Sequence, residues 1–222
     1  MSKHALIAGA SGLVGGQLLD ELLNAPEYTQ VTAVLRRPLP ITHPKLVQLI
    51  IDFERLALTP LPAADSFFCC LGTTLKAAGS KAAFRHIDHD YVMNLAQQAR
   101  HAGAQQFLLV SSTGAHARSA FFYMRTKGEI ENALRAEAFA SSSVFRPAYL
   151  VGQRPQGRPI EDLYGKLMQR MACCMPPAYR PISARAVARA MLAQSRLAPP
   201  GFHVIESAAL QRFELRHGFS QP

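Results

Sequence analysis

The sequence predicts an α/β fold built on a doubly wound parallel sheet, and three observations support this prediction. Short β-like runs alternate with longer helical stretches over the first 150 residues. A glycine-rich segment directly follows the first of these runs. The chain has 222 residues, of which 49% are hydrophobic and only 18% charged, so it can bury a sizeable core. Alternating strands and helices are typical of parallel strands joined by right-handed crossovers, with helices covering both faces of the sheet.

The predicted elements follow from hydrophobic periodicity and from the residues that interrupt it. Four leucines recur at helical spacing after the glycines, and Asn24-Ala25-Pro26 ends that helix. Two further helices span residues 91–102, ended by Gly103, and residues 123–138. Compact apolar runs predict six strands, at residues 5–8, 31–35, 47–51, 66–71, 107–111 and 143–145.

The composition of the chain changes after Arg146-Pro147, where proline and arginine become frequent. Only residues 184–197 form a convincing helix there, and residues 202–205 are a candidate for one more strand. There is no internal repeat and no low-complexity linker. We therefore predict one domain over residues 1–222, in which residues 147–222 include a small cap on the substrate side.

Composition excludes several classes of protein. A disordered tail, a coiled coil, a collagen-like repeat and a disulfide scaffold all require other residue frequencies. No apolar run approaches the ~20 residues that span a bilayer, and the N-terminus lacks the pattern of a signal peptide. The four cysteines form two adjacent pairs without C-x-x-C spacing. We expect a cytoplasmic protein with reduced thiols and no membrane partner.

The positive charge is concentrated in one part of the chain. The formal net charge is +9, yet residues 1–145 carry 13 basic and 11 acidic side chains, whereas residues 146–189 carry eight and two. A local excess argues against a basic coat for nucleic acid. It favours either an anionic substrate, contacted by Arg146, Arg154 or Arg180, or simply a solvated arginine-rich surface.

Three glycines, Gly9, Gly12 and Gly15, lie between the first strand and the first helix. Glycine at these positions permits a tight turn, close approach of the backbone to a pyrophosphate, and close packing of helix on strand. The helix N-terminus then presents free N–H groups to the phosphates. The alternative is a purely structural turn. The predicted dinucleotide-binding loop comprises Gly9, Ala10, Ser11, Gly12, Leu13, Val14 and Gly15.

The end of the second strand predicts which dinucleotide is bound. An NAD-specific site places an acidic residue about 20 residues after the glycines, where it binds the ribose 2′-hydroxyl. This strand instead ends in Arg36-Arg37-Pro38, with no acidic residue near. Guanidinium groups bind phosphate well, so the sequence favours NADP(H), with a solvated arginine pair as the alternative.

Serine, tyrosine and lysine residues predict the reacting centre. Ser111 and Ser112 end the fifth strand, at the edge where open α/β sheets hold ligands. Tyr123 and Lys127 share one face of the next helix, because they are four residues apart. A lysine ammonium favours the phenolate of a neighbouring tyrosine, which prepares Tyr123 to exchange a proton with a substrate oxygen. The alternative for this pair is an ordinary amphipathic helix surface.

In their order along the chain, these motifs resemble the short-chain dehydrogenase/reductase superfamily. More narrowly, the chain is similar to the atypical branch that includes the Tat-interacting-protein oxidoreductases. The segments that carry this similarity are residues 68–74, Asp88-His89-Asp90-Tyr91-Val92, residues 111–115, Tyr123 to Glu129, and Val144-Phe145-Arg146-Pro147.

The resemblance implies a Rossmann-type fold that binds NADP(H), with Ser112, Tyr123 and Lys127 as catalytic residues. Lys127 would also bind the nicotinamide ribose. The further cofactor contacts that it implies are Arg36, Arg37, Asp52, Phe53, Leu71, Gly72, Thr73, Thr74, Ser111 and Arg146.

The predicted activity is an NADPH-dependent oxidoreductase of the carbonyl reductase or alcohol dehydrogenase type, working as a monomer or homodimer. Two alternatives stay open: an NADP(H)-binding regulatory or scaffold protein, and an epimerase or dehydratase with a tightly held cofactor. His86 and His89 have helical spacing beside Asp88 and Asp90, but the stretch has no further ligand at motif spacing. We therefore predict no metal site there, and interpret these residues as a solvated helix start.

Overall fold

The computed structural model describes residues 2–151 and 175–214. Its strands are β1 (Lys3–Ala8), β2 (Tyr28–Leu35), β3 (Leu46–Ile50), β4 (Ser66–Cys69), β5 (Gln106–Val110), β6 (Ser141–Arg146), β7 (Leu150–Val151), β8 (Ile182–Ser183) and β9 (Gly201–Glu206). Seven of them form the main parallel sheet in the order β3-β2-β1-β4-β5-β6-β9, and β7 pairs separately with β8. The prediction of a doubly wound, Rossmann-type parallel sheet is confirmed.

Helices connect these strands. They are α1 (Leu13–Asn24), α2 (Leu75–Ala78), α3 (Lys81–Arg85), α4 (Tyr91–His101), α5 (Phe122–Ala136), α6 (Ala184–Leu197) and α7 (Ser207–Leu210). A π-helical turn, His86–Asp90, joins α3 to α4 without a break, and a 3₁₀ turn, Phe53–Leu58, follows β3. The predicted helix 123–138 ends earlier, at Ala136, since Ala138 has a φ of +51° that no helix continues.

The sheet is buried on both faces, as a parallel sheet requires. One face, with Ile7 and Phe68, packs against α1 and α6. The other face, with Leu6 and Phe67, packs against α4 and α5. Because neighbouring residues on a strand point in opposite directions, the parts of the central strands that both layers cover are apolar, as in residues 5–8, 67–69 and 107–109, which explains the short continuous apolar runs in the sequence.

Strand order reverses between β1 and β4, which are neighbours in the sheet although they are not consecutive. In open α/β sheets, the crevice outside the carboxyl ends of the strands at such a reversal holds the ligand. The glycine loop leaves β1 at this edge, and the segment after β4 lies beside it, since the Cys70 amide donates to the Ala8 carbonyl at 2.9 Å.

Much of the C-terminal segment belongs to the sheet and its helical layer rather than to a cap. Helix α6 buries Val187 and Met191 in the same core as α1, and β9 pairs in register with β6. The candidate strand at residues 202–205 is thus present, as Gly201–Glu206. Residues 152–174 of the predicted cap lie outside the described residues, so the cap stays a prediction for that stretch.

Candidate cofactor and catalytic site

The glycine loop is so tight that side chains cannot replace two of its glycines. Gly9 has a φ of +86°, and a Cβ there would lie 2.5 Å from the Cys70 carbonyl oxygen. A Cβ on Gly15 would lie 2.0 Å from the Gly9 carbonyl oxygen. The Gly12 amide donates to that same oxygen at 2.9 Å, and Gly12 begins α1 with no side chain to cap it. The N–H groups of the first turn of α1 are therefore left for a ligand, which fits a pyrophosphate.

The other residues of the loop divide between core and surface. Ala10 and Val14 are buried in the core beneath α1, and Leu13 packs against that core from a half-buried position. Ser11 is exposed at the tip of the loop. The exposed Ser11 and the uncapped first turn of α1 are therefore the parts of this loop that are open to a ligand.

A cavity of about 580 Å³ lies where β2 and β3 end. Arg36 lines it, whereas Arg37, the next residue, is exposed outside the lining. Asp52 also faces the cavity, and its carboxylate accepts a hydrogen bond from the Glu54 amide at 3.0 Å, which starts the 3₁₀ turn. The lining residues are Arg36, Ile50, Ile51, Asp52, Phe53, Glu54 and Tyr91.

Sequence reasoning did not anticipate a polar network at the wall of this cavity. The Tyr91 hydroxyl donates to one Glu54 oxygen, and His86 Nε2 lies 2.9 Å from the other. The hydrogen bonds from Tyr91 and His86 lower the pKa of Glu54. The hydrogen bonds to Glu54 and Asp90 raise the pKa of His86, and burial together with Glu54 raises that of Tyr91 to about 12. The Glu54 side chain at the cavity wall is thus fixed by hydrogen bonds to Tyr91 and His86.

A buried ion pair lies at the centre of the catalytic half of the site. Lys127 Nζ is 2.6 Å from Asp88 Oδ1, and the two side chains are 6% and 0% exposed. Burial opposes the charge on Lys127, but the Asp88 carboxylate and the neighbouring Tyr123 outweigh it and raise the pKa of the ammonium. The prediction that Asp88 belongs to a solvated helix start is wrong, because the π-helical turn directs its side chain inward.

The segment after β4 closes against this pair. The Thr73 amide donates to Asp88 Oδ2 at 2.7 Å. A Cβ on Gly72 would lie 3.5 Å from Asp88 Oδ1 and 3.7 Å from Lys127 Nζ, so the loop backbone passes directly over both charges. Thr74 caps α2 by accepting from the Ala77 amide at 3.1 Å. The predicted residues Leu71, Gly72, Thr73 and Thr74 therefore lie between the glycine loop and Lys127.

Tyr123 lies in the first turn of α5, one helical turn from Lys127 and half-buried. Its ring packs on the fully buried Phe84 with ring centroids 5.5 Å apart. Gly128 lets α5 approach the preceding loop, because a Cβ there would lie 2.2 Å from the His116 carbonyl carbon. Close packing on both sides fixes the direction of the Tyr123 side chain.

The two serines after β5 point to different environments. Ser111 is buried, and its hydroxyl donates to the buried carboxylate of Glu131. Ser112 is half-buried, and its hydroxyl has only a weak contact, 3.4 Å, with the Thr113 carbonyl. The Ser111 hydroxyl is thus bonded inside the protein, whereas the Ser112 hydroxyl makes only this long contact, and the catalytic role of Ser112 stays a prediction.

Arg146, one of the predicted cofactor contacts, is partly buried and forms ion pairs with two carboxylates of the protein. Its Nε lies 3.0 Å from Glu131 Oε1 and its Nη1 lies 2.7 Å from Glu206 Oε1. These bonds tie β6 to α5 and to the end of β9. A guanidinium held on two sides by carboxylates cannot turn to a cofactor or an anionic substrate without breaking both ion pairs.

The other arginines of the basic stretch make comparable contacts where the structure describes them. Arg180 Nε donates to the Met175 carbonyl at 2.8 Å. Arg185 and Arg189 reach across to α1, where they bind Gln17 and Glu21. Arg154, the remaining candidate for an anionic substrate, lies outside the described residues.

Metal, thiol and membrane chemistry can be assessed within the described ranges. No group of three or more His, Cys, Asp or Glu side chains is arranged there to hold a metal ion, and His86 and His89 instead pair with neighbouring carboxylates. Cys69 and Cys70 are free thiols, and burial raises the pKa of Cys69 to about 12, which makes it unreactive. No helix of residues 2–151 and 175–214 is long and apolar enough to cross a membrane.

Comparison with known proteins agrees with this geometry. Residues 9–162 match a protein family described as NAD(P)H-binding. The rat (Rattus norvegicus) protein HTATIP2 is 36% identical over 205 residues, which are 90% of this chain and 83% of the rat protein. The yeast (Saccharomyces cerevisiae) protein FMP52, mitochondrial, is 37% identical over 159 residues, which cover 70% of this chain and 69% of the yeast protein.

Solved structures share the fold at low sequence identity. MoeE5 in complex with UDP-glucuronic acid and NAD superimposes with a TM-score of 0.71 at 21% identity, covering 90% of this chain and 75% of MoeE5. A UDP-glucose 4-epimerase from Thermotoga maritima with UDP-glucose gives a TM-score of 0.68 at 17% identity, covering 96% and 81%. The chain therefore shares its fold with these two proteins.

Proposed function

Since this chain belongs to the NAD(P)H-binding protein family, we propose that it is an NADPH-dependent oxidoreductase of the short-chain dehydrogenase/reductase type. The proposed reaction is the reduction of a carbonyl compound to an alcohol, or its reverse. The observation that carries the proposal is the buried, charged Lys127 one helical turn from Tyr123, beside the segment that follows β4. A lysine that is kept charged in the protein interior suits proton transfer at the neighbouring tyrosine.

The residues of the site fit the cofactor. The first turn of α1 would bind the pyrophosphate, the cavity beside Asp52 and Phe53 would take the adenosine, and Arg36 would contact the 2′-phosphate. Lys127 would contact the nicotinamide ribose. When bound, NADPH supplies the hydride that reduces the carbonyl carbon of the substrate.

The side chains of the chain itself carry out the other half of the reaction. The Ser112 hydroxyl binds the substrate oxygen and orients it. The Tyr123 hydroxyl donates its proton to that oxygen as negative charge develops there, which completes the alcohol. Lys127 stabilises the phenolate that Tyr123 leaves behind. In the reverse direction, the phenolate accepts the proton from the alcohol.

The substrate is proposed to be a small carbonyl compound or alcohol. A preference for an anionic substrate receives less support than the sequence suggested, because Arg146, Arg185 and Arg189 bind protein groups. What supports it is the basic character of residues 152–174, including Arg154. Matched neutral and anionic carbonyl compounds, assayed at low and high salt, would decide between them.

We propose a cytoplasmic location, because Cys69 and Cys70 are free thiols. Fungal relatives carry the word mitochondrial in their names. Fractionation of cells that express the full chain would decide between the two compartments.

Tyr123→Phe tests the function directly. This change keeps the ring against Phe84 but removes the proton donor, so NADPH oxidation with a panel of aldehydes and ketones should fall by roughly 10²-fold or more. NADPH affinity, measured by calorimetry, should change little. Tyr28→Phe is the matched control, since Tyr28 is the first residue of β2 and so lies at the amino ends of the strands, away from the carboxyl ends where the cofactor is proposed to bind.

Equal turnover by wild type and Tyr123→Phe would contradict the assigned proton donor. Tight NADPH binding without turnover of any compound would favour a regulatory or scaffold protein instead. A cofactor that copurifies with the protein and stays bound would favour an epimerase or dehydratase.

A further inference from the structure

Asp88 is the most deeply buried charged group of the described residues that the proposed proton transfer does not use. Its side chain is 0% exposed, and its residue lies in the middle of the π-helical turn between α3 and α4. Charged side chains are buried this completely only where a partner compensates them. The surroundings of Asp88 should therefore show what its charge does.

The two oxygens of Asp88 bind two different parts of the site. Oδ1 lies 2.6 Å from Lys127 Nζ on α5, and Oδ2 accepts the Thr73 amide at 2.7 Å from the segment after β4. One side chain thus joins the helix that carries the proposed acid to the segment that lies against the cofactor edge.

The π-helical turn makes this arrangement possible. A π turn displaces the side chains that follow it relative to an α-helix, and such turns occur frequently at functional sites. Here it directs Asp88 inward to Lys127, while His86 and Asp90, on either side, contact each other at 3.2 Å and remain about half exposed. The other ring nitrogen of His86, Nε2, lies 2.9 Å from Glu54 Oε2 at the wall of the proposed adenosine cavity.

We propose that Asp88 is a positioning residue, whose carboxylate keeps Lys127 charged and directed at the reacting centre while it holds the Thr73 backbone in place. This inference rests on the proposed function for its significance, since Lys127 matters to catalysis only if Tyr123 exchanges a proton. The contacts of Asp88 themselves do not depend on it.

The Asp88 carboxylate compensates the buried charge of Lys127. A buried ammonium without a counter-ion loses its proton readily, because burial disfavours the charged form. The groups that act on Lys127 within the described residues are Asp88 from the π turn, Tyr123 from α5 and Cys69 from β4. Cys69 is neutral at working pH, since its pKa is raised to about 12 by burial. Tyr123 is a phenol, which leaves Asp88 as the carboxylate in direct contact with the Lys127 ammonium.

The test measures the ionisation of Lys127 in the protein without cofactor or substrate. Lysine is labelled with ¹³C at Cε, the Lys127 signal is assigned by its loss in Lys127→Met, and its pKa is followed by NMR. In wild type we expect it to lie above the ordinary value. Asp88→Asn keeps the shape but removes the charge, and should lower the pKa of Lys127 below that of the exposed lysines, because burial then acts on the ammonium without an opposing carboxylate.

Two further variants separate charge from fold. Asp90→Asn removes the same charge two residues later on the same turn, and should leave the Lys127 signal unchanged. Asp88→Glu returns the carboxylate and should restore a high pKa. Calorimetry with NADPH as the probe should show about a tenfold loss of affinity in Asp88→Asn, because Lys127 and the Thr73 backbone lose the carboxylate that positions them.

Each outcome decides the proposal. An Asp88→Asn protein that melts earlier but keeps the pKa of Lys127 would overturn it, because Asp88 would then serve stability alone. If Asp88→Asn does not fold, wild type and Asp88→Glu decide, and a Lys127 that titrates below the other lysines in both would overturn it. Failure of wild type to bind NADPH would refute the proposed function, while the titration of Lys127 would still judge the role of Asp88.

Discussion

At the scale of single residues, Arg36 and Arg37 are adjacent in sequence but differ in their surroundings. Only Arg36 lines the cavity where β2 and β3 end. A charge-assisted contact between guanidinium and phosphate contributes on the order of 2 kcal/mol, or about thirtyfold in affinity. Arg36 should therefore account for most of any preference for a cofactor with a 2′-phosphate.

We predict that NADPH binds at least about tenfold tighter than NADH, and that Arg36→Ala together with Arg37→Ala removes most of this difference. Calorimetry with both cofactors measures it. Arg55→Ala is the matched control, because Arg55 is an exposed arginine of the nearby 3₁₀ turn outside the cavity lining. Equal affinities for NADPH and NADH in wild type would contradict the NADP(H) assignment.

His86 predicts a dependence of stability on pH. Its hydrogen bonds to Glu54 and Asp90 raise its pKa above the 6.5 of the unfolded chain. A raised pKa adds stability that is complete below that unfolded value and disappears as pH rises through the folded one. The melting temperature of wild type should therefore exceed that of His86→Gln most at pH about 6, and this excess should shrink towards pH about 8.5.

Thermal melts of both proteins across this pH range provide the measurement. Glu54→Gln is the companion variant, since it removes the largest cause of the raised pKa and should reduce the same pH dependence. A difference between wild type and His86→Gln that stays constant with pH would show that the Glu54 contact does not hold in solution.

At the scale of elements, two adjacent glycines of α1 give opposite expectations. Alanine at Gly15 would place its Cβ 2.0 Å from the Gly9 carbonyl oxygen, whereas at Gly16 the nearest atom is the Ala10 oxygen at 3.5 Å. Gly15→Ala should cost about 1–3 kcal/mol of stability through overpacking and should abolish NADPH binding, because the loop must open. Gly16→Ala should be neutral or add up to about 1 kcal/mol, since alanine favours the helix.

Chemical denaturation and NADPH calorimetry of the two variants test this pair. Equal behaviour of Gly15→Ala and Gly16→Ala would mean that the glycine loop is looser than the structure has it. Normal NADPH affinity in Gly15→Ala would contradict the pyrophosphate site at the start of α1.

Elements could be predicted from the sequence wherever a local pattern determined them. Strands such as β4 and β5 were recognisable because their buried apolar residues face both layers, and the glycine loop because its residues are contiguous. The partner of Lys127 was not, since Asp88 lies 39 positions earlier and only the π turn directs it inward. The ion pairs of Arg146 could not be predicted for the same reason, because its partners Glu131 and Glu206 lie on α5 and at the end of β9.

At the scale of the whole molecule, elements late in the sequence pack against elements early in it, since α6 shares a core with α1 and β9 extends the main sheet. The prediction that residues 147–222 include a small cap relied on a change in composition, and within this stretch β9 belongs to the main sheet and α6 to its helical layer. Hydrogen bonds such as that from Gly201 to the Ala140 carbonyl, at 2.8 Å, attach β9 to the sheet. Three contacts from Arg185, Arg189 and Arg196 attach α6 to residues 17–27.

The packing of α6 against α1 has a consequence for the synthesis of the protein. Helix α1 leaves the ribosome long before α6, with the apolar side chains of Leu18 and Leu22 that the native fold buries completely. The helix that shares their core begins only at Ala184, whereas α1 ends at Asn24. At about 5–20 residues per second, synthesis of the segment between the two helices takes roughly 10–30 s, and their pairing cannot precede it. The nascent chain therefore lacks α6 on this leucine face over that interval, so its yield in a cell should depend on chaperones that shield α1 until α6 arrives.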